Sequence, residues 1–116
     1  MSRLLVVDDE PSITDMLEVV CQLAGVEVRC ASNGRSALDI LDEFVPDLVL
    51  TDFMMPIMDG CEFVKAIRQN PARQHVRVII MTSVPEVAAR RCKGESVVAK
   101  PIDIDEVLRL LVEIAT

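Results

Sequence analysis

Leu4-Leu5-Val6-Val7-Asp8-Asp9 opens the chain with four aliphatic residues that end abruptly in paired carboxylates. A run this short and this apolar reads as a parallel strand buried on both faces. In open α/β sheets, ligands bind beyond the carboxyl ends of the strands, so acids placed there point to a site. Two further runs end in the same way. Leu48-Val49-Leu50-Thr51 leads into Asp52, and Val97-Val98-Ala99 leads into Lys100. One edge of the sheet is thus expected to carry three carboxylates and an ammonium, a set suited to phosphate and divalent-metal chemistry.

Helical periodicity fills the gaps between these runs. Ile13, Met16, Leu17, Val20 and Ala24 fall on one helical face, with Pro11 suited to the first turn and Gly25 to the stop. Val26 to Ala31 reads as a second strand. Ser32 is the expected cap of a second helix with Ala37, Ile40, Leu41 and Phe44 inward, and Pro46 bars its continuation. The third strand spans 47–51, and the third helix spans 60–70 with Phe63, Val64 and Ile67 inward. Residues 77–81 form a fourth strand, 86–93 a short and poorly periodic fourth helix, and 97–99 a fifth strand. Asp103 and Glu106 spell a capping box for the last helix, with Val107, Leu110, Leu111 and Ile114 inward.

Five strand–helix alternations imply an α/β fold, a (βα)5 doubly wound parallel sheet with helices on both faces. The order 2-1-3-4-5 sets the ends of the first and third strands side by side at the reversal point, following the rule already established for flavodoxin and CheY.

The 116 residues form one domain, 1–116, with 51% hydrophobic and 27% charged residues. Twelve basic against 19 acidic side chains give a net charge of −7, which argues against nucleic-acid binding by this domain. Arg90-Arg91-Cys92-Lys93 is the only basic cluster and reads as a solvated helix face. Cys21, Cys30, Cys61 and Cys92 lack zinc-ligand spacing. With no signal-peptide pattern and no apolar run near the ~18 residues of a membrane span, the reading is a cytoplasmic chain with reduced thiols.

Asp8, Asp9 and Asp52 would repel one another if all were ionised and unpaired. Mg²⁺ (or Mn²⁺) would balance them, as would the compact cation of Lys100. An aspartate beside such a metal is a plausible nucleophile for an aspartyl-phosphate. Thr82, ending the fourth strand, offers a hydroxyl to a phosphoryl oxygen, and the small Ser83 leaves room for the group to enter. Any single Asp after a strand is more often a turn or cap residue. The combination at several strand ends is what carries the reading.

Asp8-Asp9, the stretch Asp52-Phe53-Met54-Met55-Pro56-Ile57-Met58-Asp59-Gly60, Thr82-Ser83 and Lys100-Pro101 together resemble the response-regulator receiver domain (CheY-like) of bacterial two-component phosphorelays. The resemblance covers the whole chain in order. It implies that Asp52 accepts a phosphoryl group from a sensor histidine kinase, a phosphotransfer protein or a small donor such as acetyl phosphate. It further implies that Asp9, Asp52 and the Met54 carbonyl ligate Mg²⁺, that Asp8 acts through water, and that Thr82 and Lys100 hold phosphoryl oxygens. By the same resemblance, Lys100-Pro101 is cis. Such a domain is not a turnover enzyme; it catalyses only its own phosphorylation and dephosphorylation.

The departures from the pattern concern the switch. The family usually carries an aromatic residue where this chain has Val97, so a shift of the Thr82 loop without a ring rotamer is expected. Only 17 residues, positions 83–99, separate Thr82 from Lys100, which predicts a short or irregular fourth helix. The face of fourth helix, fifth strand and fifth helix is the expected output surface. Leu108 and Val112 add an apolar stripe there, read either as packing under the fourth helix or as a homodimer contact. Met54 and Val84 flank the path of a hydrolytic water without orienting it, so slow dephosphorylation is expected.

Two other readings compete. A Mg²⁺-dependent phosphatase of the haloacid-dehalogenase kind would place its nucleophile on the first strand in an Asp-x-Asp pattern, whereas this chain has Asp8-Asp9-Glu10. A pseudo-receiver would serve only as a protein-binding module, which the intact acceptor, metal and Lys positions argue against. His75 is the only histidine and reads as a surface loop residue. The chain ends just after the fifth helix, which suits a stand-alone receiver or one joined to an output domain.

Overall fold

A computed structural model describes residues 2–115, with side chains described through Glu113. The elements are β1 (Arg3–Val7), α1 (Pro11–Leu23), β2 (Glu27–Ala31), α2 (Gly34–Leu41), β3 (Leu48–Asp52), α3 (Gly60–Gln69), β4 (Arg77–Thr82), α4 (Pro85–Arg91), β5 (Ser96–Ala99) and α5 (Ile104–Ala115), with a 3₁₀ turn at Pro71–Arg73. The strands form one parallel sheet in the order β2-β1-β3-β4-β5, as the alternation implied.

The two faces of the sheet explain why the central strands are apolar throughout. Leu5, Val7, Val49, Val78 and Ile80 pack against α2, α3 and α4 through Ala37, Leu41, Phe63, Val64, Ile67 and Ala88. Leu4, Val6, Leu48, Leu50, Ile79 and Met81 pack against α1 and α5 through Leu17, Cys21, Val107 and Leu111. Each fully buried aliphatic or aromatic side chain contributes about 1.5–3 kcal/mol, and the layered core holds the strand ends in register.

Several local expectations need correction. Met16 and Ala24, expected inward, are exposed, and the inner stripe of α1 is Leu17 and Cys21, fully buried, with Ile13 packed beside them at i, i+4 and i+8. Asn33, not Ser32, caps α2, its side-chain oxygen accepting the Ser36 N–H at 2.9 Å. Leu108 is half-buried and packs into the α1/α5 side of the sheet rather than beneath α4, and Val112 is exposed. Ile114, expected inward, lies outside the residues whose side chains are described. The fourth helix is short, seven residues from Pro85 to Arg91.

Reduced thiols were expected at all four cysteines, yet Cys61 and Cys92 are joined in a disulfide with their Cα atoms 5.3 Å apart. The topology brings together the first turn of α3 and the C-cap of α4, a proximity invisible in a separation of 31 residues. Cys21 and Cys30 are free. No helix among the described residues is long and apolar enough to cross a membrane.

Candidate functional site

The carboxyl ends of β1, β3, β4 and β5 converge. β1 pairs with β3 and β3 with β4, which sets Val7 beside Thr51 and Asp52 beside Met81, while Thr82 pairs with Ala99 on β5. Asp8 and Asp9 therefore follow one strand, Asp52 ends its neighbour, and Thr82 and Lys100 close the row. One carboxylate oxygen from each of Asp8, Asp9 and Asp52 lies within 4.8 Å of the other two.

Burial and charge divide the roles. Asp8, Asp52 and Thr82 are buried, whereas Asp9 is exposed. Lys100 Nζ donates to Asp8 Oδ2 at 2.9 Å, and lies 3.4 Å from Asp52 Oδ1 and 3.8 Å from Glu10 Oε1. The Lys100 N–H also donates to the Thr82 carbonyl at 2.9 Å, which ties the end of β5 to the end of β4. Asp8 Oδ1 accepts the Glu10 N–H, and Asp52 Oδ1 accepts the Phe53 N–H at 2.9 Å. Burial first, and then the charge of Asp8, push the Asp52 carboxyl above its ordinary range, with Lys100 and the Phe53 N–H pulling the other way.

Thr82 Oγ1 accepts the Val84 N–H at 3.0 Å, so the hydroxyl is tied to the residue that starts α4. Ser83 is exposed beside it, and Val97 is half-buried and packs against the core on the α2–α4 side. Met54 is exposed and lines an open cleft with Asp9, Asp59 and Arg91. Lys100–Pro101 is cis, as the resemblance implied. His75 is exposed in the loop before β4.

Gly60 is required by packing. A Cβ there would overlap the Asp52 carbonyl oxygen, and its N–H donates to the Phe53 carbonyl at 2.8 Å, so α3 starts in contact with the backbone at the end of β3. Asp59 and Glu62 form a full capping box that fixes this start.

The basic cluster is not wholly a solvated face. Arg91 reaches back to Asp59 at 3.0 Å and sits 5.4 Å over the Phe53 ring, which links α4 to the loop after β3. An Asp-x-x-Glu signature at Asp59 and Glu62 was present in the sequence, but nothing there announced the partner of Arg91.

A divalent cation fits the donor set. Asp8, Asp9 and Asp52 offer hard oxygen ligands, the type Mg²⁺ or Mn²⁺ takes, against one lysine. Asp9 has no ion pair among the described residues, and the surplus negative charge of the cluster calls for a cation.

The family description "Response regulator receiver domain" matches residues 4–112. Regulatory protein AtoC of Escherichia coli is 42% identical over 97% of this chain, although the chain spans only 25% of that protein's length. Sporulation initiation phosphotransferase F of Bacillus subtilis is 38% identical over 90% of this chain and 86% of its own length. Among solved structures, the chemotaxis response regulator CheY4 of Vibrio cholerae superimposes with a TM-score of 0.83 at 30% identity, covering 98% of each chain. With its β2-β1-β3-β4-β5 sheet and acidic strand ends, this chain belongs to the response regulator receiver domain family of two-component signalling.

Proposed function

We propose that this domain is a phosphoacceptor switch in which Asp52 takes a phosphoryl group in a step that depends on Mg²⁺ (or Mn²⁺). The observation that carries the reading is the placement of Lys100 between Asp8 and Asp52, with the exposed Asp9 beside them. The donor is a phosphohistidine on a sensor kinase or phosphotransfer protein, or a small acyl phosphate. An Asp52 carboxylate oxygen attacks phosphorus, the bond from phosphorus to the donor nitrogen or oxygen breaks, and an acyl phosphate forms on Asp52. Lys100 neutralises one phosphoryl oxygen and the Thr82 hydroxyl donates to another. Asp9, Asp52 and the Met54 carbonyl would hold the metal directly and Asp8 through water. Once bound, the ion would supply positive charge to the phosphoryl oxygens.

The signal leaves the site through Thr82. Its hydroxyl bonds to the Val84 N–H, so drawing Thr82 toward a phosphoryl group moves the start of α4. No ring rotamer at Val97 is needed, and the face of α4, β5 and α5 is the surface that changes. The domain acts in the cytoplasm, where phosphohistidine donors are made from ATP, and it is not a turnover enzyme.

Incubation with acetyl phosphate and Mg²⁺ tests this. Intact-mass analysis should show one phosphoryl group per chain, absent in Asp52→Asn and absent with excess chelator. Sustained release of phosphate from a phosphomonoester would instead support a phosphatase. Metal binding without labelling would support a protein-interaction module.

A further inference from the structure

The disulfide between α3 and α4 stands outside the phosphoryl site, yet it joins the two elements that move or frame that site. Cys61 is the second residue of α3, immediately after Gly60, whose backbone touches the Asp52 carbonyl. Cys92 is the C-cap of α4, one residue beyond Arg91, which pairs with Asp59 and covers Phe53. The Cα separation of 5.3 Å is within the range that a disulfide spans without moving the backbone. α4 is thereby held at both ends, at its start by the hydrogen bond from Val84 to Thr82 and at its end by the covalent link to α3.

Cys92 is buried and Cys61 half-buried, and both line an open cleft of about 330 Å³ between α3 and α4. Lys65, Arg68, Arg91 and Lys93 line that cleft with Glu62 and Glu95. Arg68 is neutralised by Glu95 and Arg91 by Asp59, while Lys65 and Lys93 have no ion pair among the described residues and face Glu62 as the one remaining acid of the lining. The cleft keeps a small positive surplus, which favours an anionic visitor. Cys21 and Cys30 are free, and burial raises both thiols, Cys30 to about 12 with help from Glu18, which keeps them protonated.

We propose that Cys61 and Cys92 form a reversible dithiol–disulfide site, exchanged by an anionic low-molecular-weight thiol of the glutathione class, whose oxidised form clamps α4 to α3. In the oxidising direction the Cys61 thiolate attacks a small disulfide, forming a mixed disulfide and releasing one small thiolate. The Cys92 thiolate then attacks Cys61 Sγ and expels the second. Two protein thiols lose two electrons and two protons, and one small disulfide becomes two thiols. Reduction is the reverse, with the small thiolate attacking Cys61, the less buried of the two, and Cys92 leaving. This also reconciles the disulfide with a cytoplasmic chain, where structural disulfides are rare and reversible ones are the usual kind.

The consequence for signalling rests on the proposed phosphoacceptor reading. If α4 must shift when Thr82 is drawn toward Asp52, a clamped α4 opposes the shift, and the two events are coupled reciprocally.

The experiment has two arms on the full chain. In the first, the protein is equilibrated with defined mixtures of reduced and oxidised glutathione, quenched, alkylated and mapped by mass spectrometry. Cys61 and Cys92 should pass together from a linked pair, two hydrogens lighter, to two alkylated thiols, with Cys21 and Cys30 unlinked throughout. A pair that stays linked in excess reduced glutathione, or thiols that never link, would overturn the site.

In the second arm, beryllofluoride with Mg²⁺ serves as the phosphoryl mimic. Its affinity should be about tenfold weaker for the oxidised form, and Cys61→Ser and Cys92→Ser should each match the reduced protein under either condition. Equal affinity in both redox states would overturn the clamp. No beryllofluoride binding in either state would overturn the phosphoacceptor reading instead, and would leave the first arm standing.

Discussion

Lys100 donates to the buried carboxylate of Asp8 at 2.9 Å, tying the end of β5 to the end of β1 across 92 positions of chain. Burial alone would lower the lysine. The hydrogen bond that Lys100 donates to Asp8 and the charges of Asp52 and Asp8 outweigh burial and hold it above its ordinary value of 10.5. The stability this contributes is fully present below that ordinary value and is lost as pH rises through the higher folded one. The same contact keeps the ammonium beside Asp52, so one interaction serves both the fold and the proposed chemistry.

Lys100→Met should destabilise the metal-free protein by about 2 kcal/mol, because it leaves the buried Asp8 carboxylate facing Asp52 with no cation between them. Urea unfolding at neutral pH measures this. Adding Mg²⁺ should restore part of the loss, and an unchanged unfolding midpoint without metal would contradict the role given to the pair.

Asp52→Asn should stabilise the metal-free protein at neutral pH. Burial and the Asp8 charge raise the Asp52 carboxyl above its ordinary 3.8. Between 3.8 and the higher folded value, the native state holds a proton that the unfolded state has released, so stability falls as pH rises through that window. Asparagine does not titrate. Its advantage over the parent should therefore grow across the window and level off above it, which a pH series of thermal unfolding would reveal. A difference that is flat from roughly pH 4 to pH 7 would run against the sign.

Asp9→Asn separates metal binding from folding. Asp9 is exposed and has no ion pair among the described residues, so the substitution should leave metal-free stability unchanged. For the parent, Mg²⁺ at a hundred times its Kd should add about 2.7 kcal/mol. Titrating Mg²⁺ during thermal unfolding should show that increment in the parent and little of it in Asp9→Asn. Equal increments would remove Asp9 from the ligand set.

Ile57→Gly should stabilise the protein by about 1 kcal/mol. Ile57 has φ 72, centred on a tight turn in which the Met58 N–H donates to the Pro56 carbonyl at 2.7 Å. A β-branched residue is strained there by roughly 1–3 kcal/mol, against ~0.5–1 kcal/mol of backbone entropy that glycine adds to the unfolded chain. The side chain is 79% exposed, so little packing is lost. Chemical denaturation compares the two, and a loss of stability would mean that the turn is not strained in solution.

The layered sheet was legible because buried parallel strands and amphipathic helices follow different periods, and because Asp8, Asp9, Asp52, Thr82 and Lys100 each lie at or just after the end of a strand. Strand-end position is a local property of sequence that topology converts into proximity. Arg91 with Asp59, Arg68 with Glu95 and Cys61 with Cys92 were not legible, since each pair joins α3 or its cap to the segment from α4 to β5 across about thirty residues. Neither partner has a periodicity that names the other. Helix caps fell between these cases, because Ser32 and Asn33 are both competent caps and only backbone geometry chooses Asn33.

Met54→Asn should shorten the lifetime of the phosphorylated domain several-fold. Met54 and Val84 stand two residues after Asp52 and Thr82, 69% and 40% exposed, where a water approaching phosphorus would pass. A thioether accepts hydrogen bonds weakly and a valine side chain makes none. The parent therefore gives an attacking water little orientation, and its acyl phosphate should decay slowly after the donor is removed. An asparagine amide at position 54 can both donate to and accept from that water, adding order without touching Asp52, Lys100 or the carboxylate cluster. Decay is followed by intact mass after rapid desalting. Val84→Ala serves as a control, because it changes bulk at the second position without adding a polar group. A parent lifetime of seconds that Met54→Asn leaves unchanged would show that the water is oriented by groups other than these two side chains.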